Sequence, residues 1–283
     1  MNSKVENIQE INNDCVAPDF RVPDELWEII VPLLPEEPEK PKGGRPRESD
    51  RKMMDAIFYV LKTGCQWKAL PRCMGAPSTV HDRFQEWREA GVFKKMWQKG
   101  LDIYDEVTGI DWEWQSMDGV MTKAPLGGEA TGPNPTDRGK LGVKRSILTD
   151  GNGIPISVTV DKANRHDMKL AIPTLDEIVT DRPDPDEQEQ NISLDKGYDF
   201  DEVRSGADER GYIGHIRSRG EEKQMKEEIP GYRARRWVVE RTHSWMNRFR
   251  RLLVRWEKKS ENYIAMIHFA CFFIVLNSIK VFG

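Results

Sequence analysis

The 283-residue chain has only four cysteines, Cys15, Cys65, Cys73 and Cys271, and none stands in a C-x-x-C pair. That leaves no zinc-ligand set at a familiar spacing: Cys65, Cys73 and His81 lack a fourth partner and read as structural residues. A reduced cytoplasm is the setting that so few thiols suggest. Long apolar runs are missing too. The longest, residues 264–276, is interrupted by His268 and falls short of the ~20 residues of a membrane span, so it reads as a buried C-terminal helix. The N-terminus is polar and acidic, unlike a secretory leader. Nor is there an overall excess of positive charge: the net charge is −4, which excludes a uniformly basic nucleic-acid binder.

What charge there is, is segregated. Residues 1–39 carry ten acids against Lys4 and Arg21, whereas residues 233–259 carry ten Lys or Arg against Glu240 and Glu257. A basic surface of that kind expects a polyanion. Read as one helix, residues 232–259 place Val238, Trp245, Phe249, Leu252 and Trp256 on an apolar stripe. On the other side stand Arg236, Glu240, Asn247 and Arg251, with His243 and Ser244 nearby. A lone carboxylate among basic groups is either a simple charge offset or part of a site.

Three regions follow from the patterning. Residues 1–20 read as a loose tail, 21–108 as a helical DNA-binding domain and 109–283 as an α/β catalytic domain. Asp24 and Ser49 are cap candidates for the first two helices, with Pro35 and Gly64 as stops. Between them, Gly44-Arg45-Pro46-Arg47 is either a solvated linker or an arm suited to a DNA minor groove. A helix starting at Ser78 turns Val80, Phe84 and Trp87 inward and His81, Arg83, Gln85 and Arg88 outward. Short helix, turn and exposed basic helix is the plan of a helix-turn-helix; a plain three-helix bundle is the alternative.

After Gly109 the period changes to alternation, and a first strand carries Asp118 in its middle. A Gly- and Pro-rich loop reaches Lys140, Lys144 and Arg145. Asp150-Gly151-Asn152-Gly153 then joins two further strands. A helix, a short strand ending at Asp195, a second helix, a strand and the basic helix with Glu240 complete a mixed α/β order of the ribonuclease H kind. An Asp in mid-strand is costly to bury unless a cation or donors compensate it.

Met117-Asp118-Gly119, Leu194-Asp195-Lys196-Gly197-Tyr198 and Val239-Glu240-Arg241-Thr242-His243 resemble the three acidic motifs of bacterial insertion-sequence DDE transposases, the insertion sequence 5 group in particular. The similarity extends over residues 24–277, including the 140–145 run, Ala163-Asn164-Arg165-His166-Asp167 and Arg248-Phe249-Arg250-Arg251-Leu252. Where related groups carry a lysine seven residues after the glutamate, this chain has Asn247, followed by Arg248.

The resemblance implies a transposase whose Asp118, Asp195 and Glu240 hold two Mg²⁺ ions, with Mn²⁺ as a substitute. It also implies double-stranded DNA as partner, both element ends and target, a homodimer or higher oligomer on that DNA, and residence at the nucleoid. Arg45, Arg47, Arg83, Gln85 and Arg88 are the DNA contacts expected of the helical domain. Lys140, Lys144, Arg145, Arg236, Arg248 and Arg251 are those expected near the acids. His166 reads as a helix-start residue near the site. A structure-selective nuclease of the same fold, or a non-enzymatic regulator descended from a transposase, are the other readings.

Overall fold

The computed structural model describes residues 15–37, 46–216, 235 and 237–279. The expected DNA contacts Arg45 and Arg236 lie outside them. Alternating side chains from 114 onward form β1 (Trp114–Lys123), antiparallel to β2 (Leu141–Thr149), which pairs in turn with β3 (Pro155–Lys162). The turn between β2 and β3 is built by Asp150, whose carboxylate accepts the Asn152 and Ile154 N–H groups at 2.9 and 2.7 Å. Gly153 adopts φ +84 there, where a side chain would be strained.

On the other edge of β1 lie the parallel strands β4 (Gln190–Leu194) and β5 (Tyr212–Ile216), so the five main strands run in the order β3-β2-β1-β4-β5, and the two-residue strand Gly132–Pro133 pairs with the start of β2. Three antiparallel strands followed by two parallel ones, in that order, is the ribonuclease H arrangement.

The N-terminal helices are α1 (Asp24–Ile30), α2 (Asp50–Thr63), α3 (Pro77–Glu89) and α4 (Val92–Val107). Ser49 caps α2 by accepting the Lys52 N–H, and Gly64 ends it at φ +69. α5 (Met168–Asp176) and α6 (Asp201–Asp208) connect β3 to β4 and β4 to β5. The sheet is covered on both faces, because adjacent residues of β2 point opposite ways. Ser146 meets Thr174 of α5, whereas Arg145 lies near His243 of α7 (Trp237–Asn247).

α8 (Ser260–Ser278) joins the two halves. By length and composition it is apolar enough to cross a membrane, beyond the short run read from sequence, yet most of it is buried inside the fold. Phe269 stacks near Phe58 of α2 and Phe93 of α4, with centroids 6.1 and 5.2 Å apart, and Phe273 lies 4.4 Å from Phe58. Helical region and sheet therefore share one continuous core.

Two expectations fail here because basic side chains find partners inside the fold. The outer side of α3 is not free to enter a groove. Arg83 is 4 % exposed, pairs with Asp50 and donates to the Glu48 carbonyl at 3.2 Å. Arg88 binds Glu261 and Asn262 of α8 at 3.0 and 2.9 Å, and Gln85 donates to Asn262. Arg47 is likewise engaged, forked onto Glu86 at 2.9 and 2.7 Å.

The long basic helix is also broken. α7 stops at Asn247, a short 3-10 turn covers Arg250–Leu252, and Val254 bridges to Lys123 of β1. Arg251, expected at the surface, is 4 % exposed and pairs with Glu257 at 2.6 Å; this buried pair and the Val254 bridge hold the chain out of helix. Trp245 is only half-buried and Trp256 is exposed, while Val239, Thr242 and His243 face inward instead. A disulfide joins Cys15 to Cys73, 58 residues apart, which no local spacing announces.

Candidate active site

β1 and β4 run parallel with Ser116 beside Ser193; two residues on stand Asp118, in the middle of β1, and Asp195, just past the end of β4. Equal offsets keep the two side chains on the same face of adjacent strands, spaced by roughly 4.7–4.9 Å of backbone. Asp195 directly follows β4 and opens a 3-10 turn, Lys196–Tyr198, whose Gly197 N–H donates to its carboxylate at 2.8 Å. Glu240 lies in the first turn of α7. That helix is held over the sheet by Thr242, which donates to the Gly153 carbonyl at 2.5 Å, by Arg241 on the Asn152 carbonyl, and by Ser116, whose hydroxyl reaches the Arg235 carbonyl at 3.1 Å.

The acids feel one another. Burial pushes the Asp118 carboxyl up to about 6; the Gly119 N–H, at 2.8 Å, opposes this, and the charges of Asp195, Asp167 and Glu240 add to it. Tyr198, fully buried, has its hydroxyl raised well above the ordinary tyrosine range by burial and then by Asp167, Asp118 and Asp195. The charges of mid-strand Asp118, of Asp195 after β4 and of Asp167 at the start of α5 thus act on one another and on Tyr198. Among the described residues no three His, Cys, Asp or Glu side chains stand close enough to hold one ion. Hard carboxylate oxygens in a partly desolvated setting are the donor set that Mg²⁺ or Mn²⁺ takes.

This yields a pH dependence. A folded value near 6 lies above the ordinary 3.8, so in the cation-free protein Asp118 favours folding below about pH 4 and that contribution is lost as pH rises through 6. A cation held by Asp118 would have to displace the same proton. Mn²⁺ affinity, followed by calorimetry, is therefore expected to fall about tenfold per unit below pH 6 and to level off above it. A plateau extending down to pH 4.5 would show that Asp118 is not a ligand.

Of the basic residues named from the sequence, Lys140 and Arg248 are exposed. Lys144 is 6 % exposed and paired with Asp167. Arg145 is fully buried, and its three guanidinium nitrogens have no hydrogen-bond partner among the described residues. Neither is a surface contact for DNA. Burial and then the Arg145 charge drive His243 down to about 3, so this ring is neutral and internal rather than beside Glu240 at the surface. His166 is exposed, packs edge-on against Phe200 with centroids 5.1 Å apart, and accepts the Met168 N–H at the start of α5. The residues missed from the sequence are Tyr198 and Asp167, although both stand inside motifs already singled out.

A ribonuclease H-like sheet with acids gathered at its central strands defines an enzyme acting on a nucleic-acid backbone. Residues 115–274 match the family described as "Transposase DDE domain", and residues 22–97 match "Putative transposase of IS4/5 family". The chain belongs to the DDE transposases, enzymes that cut and transfer DNA with the help of a divalent cation. It is 35% identical over 164 residues to a putative transposase for insertion sequence element IS402 of Burkholderia cepacia, covering 57% of this chain and 75% of that one. It is also 29% identical over 101 residues to the uncharacterized protein y4sN of Sinorhizobium fredii, covering 36% of this chain and 74% of that one. Among solved structures, the catalytic domain of the Mos1 mariner transposase aligns at 11% identity and a TM-score of 0.28, covering 70% of this chain and 94% of that one.

Proposed function

We propose that Asp118, Asp195 and Glu240 are the catalytic acids, that together they hold two Mg²⁺ ions, with Mn²⁺ able to substitute, and that the substrate is double-stranded DNA at the ends of the element, later joined to target DNA. The observation that carries this reading is the mid-strand Asp118, raised by burial and by the charges of Asp195 and Glu240. Such an acid is stabilised only when cations arrive. When bound, a pair of divalent ions activates an attacking hydroxyl and stabilises the departing oxygen of a phosphodiester.

The chain's own part is to supply and aim the oxygens. Gly119 and Gly197 fix the orientation of the two aspartates through their N–H groups, and the contacts of Arg241 and Thr242 with the β2–β3 turn set the height of Glu240 above the sheet. Lys140 and Arg248, both exposed, are the phosphate contacts that survive from the sequence reading. Residues 109–283 carry the chemistry in this reading, residues 21–108 help to grip DNA, and a homodimer or larger assembly brings two ends together at the nucleoid.

The test uses the full chain and a duplex carrying the ends of its own element. Nicking at the element boundary is expected with Mg²⁺ or Mn²⁺ and none with EDTA. Cutting that ignores chelation, or that does not distinguish the element end from unrelated duplex, would refute the reading.

A further inference from the structure

Lys144 is an internal cation. Its side chain is 7 % exposed, its ammonium donates to the Arg165 carbonyl at 2.6 Å, and it stands 2.9 Å from Asp167 Oδ1. The pair lies against the residue that follows Asp118. A Cβ added to Gly119 would sit 2.6 Å from Asp167 Oδ1 and 3.5 Å from Lys144 Cδ, so glycine is what lets the pair rest on β1. Asp167 also faces the hydroxyl of Tyr198, which Asp118 and Asp195 influence as well. Asp167 is 33 % exposed, so the pair is buried at its cationic end, and a buried charge is seldom a gain in stability even when paired. The charge of Asp167 is felt by Asp118 and by Tyr198, and that calls for an account based on charge.

We propose that Lys144 and Asp167 form a positioning pair for the acidic site, in which Asp167 adds a fourth carboxylate and holds the Lys144 ammonium away from the cation ligands. The inference rests on reading Asp118, Asp195 and Glu240 as those ligands. The three acids carry −3 and the pair adds zero. Removing the Asp167 charge alone leaves −3 + 1 = −2, with an unpaired buried ammonium next to the site, and cations are repelled. Removing both charges restores −3. A pair that served packing alone would show no such recovery.

The experiment measures Mn²⁺ binding to the full chain by calorimetry without DNA, alongside thermal melting in EDTA. Asp167→Asn, nearly isosteric, is expected to weaken Mn²⁺ binding about 10–100-fold. The double variant Lys144→Met with Asp167→Asn is expected to return to within about threefold of wild type, the non-additivity expected of directly coupled groups. Gly119→Ala keeps every charge but forces Asp167 aside, and should weaken binding as well; it decides the matter together with the double variant if Asp167→Asn does not fold. Wild-type affinity in Asp167→Asn or in Gly119→Ala overturns the proposal, as does a double variant that binds no better than Asp167→Asn. If wild type itself binds no Mn²⁺, the three-acid reading falls and this inference with it. If Asp118→Asn loses the ion while Asp167→Asn keeps it, only the positioning pair is wrong.

Discussion

Asp118→Asn, Asp195→Asn and Glu240→Gln are each expected to lower strand cleavage by on the order of 10²–10³ or more, the scale on which removing one preorganised charge-stabilising group acts. Binding to element-end DNA, read by gel shift, should stay within a few-fold of wild type, because phosphate contacts from other residues dominate affinity. Loss of folding cannot account for such a result at Asp118. Its ionised form is disfavoured by burial and by three neighbouring carboxylates, so the asparagine relieves a cost. In EDTA at pH 8 the Asp118→Asn protein should melt no lower than wild type, the exchange of stability for activity that functional sites show. Cleavage near the wild-type rate by any one variant would remove that residue from the site.

The second large effect lies away from the acids. Glu257→Gln removes the negative charge that offsets Arg251, a buried guanidinium, 4 % exposed, which also donates to the neutral Cys65 carbonyl at 2.9 Å. Breaking one side of such a pair costs ~3–5 kcal/mol, and thermal melting should show it plainly. Arg251→Ala should destabilise in the same way, since it strands Glu257 and severs the tie between the chain after α7 and the segment after α2. Neither change should alter the dependence of DNA affinity on salt. A phosphate contact would instead reduce the slope of log K by about 0.9 on removal. An Arg251→Ala protein that melts like wild type but has the shallower slope would return this arginine to the DNA surface.

Much of the site was legible because its signals are local. Alternation placed Asp118 in the middle of a strand, and the strand is there. Asp195 follows β4 directly, and Glu240 lies on a helix after β5. The turn at Asp150 to Gly153 and the stop at Gly64 depend on dihedral preferences of single residues, which sequence displays openly. Asp167 was overlooked for the opposite reason. It sits in a quoted motif, but its neighbour Lys144 is on another element, and nothing in the spacing says that Gly119 leaves the gap through which the two meet.

The sequence by itself determined the order of strands and helices, the positions of the three acids along them and the class of chemistry they permit, since these depend on periodicity and residue type within a few positions. Only the tertiary structure decided which of the basic residues remain available to a polyanion. Arg88 finds Glu261 at a separation of 173 residues, Arg83 finds Asp50, Arg251 finds Glu257, and Arg145 disappears beneath α7 and α8. A positive charge looks the same in sequence whether it faces solvent or a buried carboxylate. The difference lies in the packing that desolvates it, of α3 on α2 for Arg83, of α3 on α8 for Arg88 and of α7 on the sheet for Arg145.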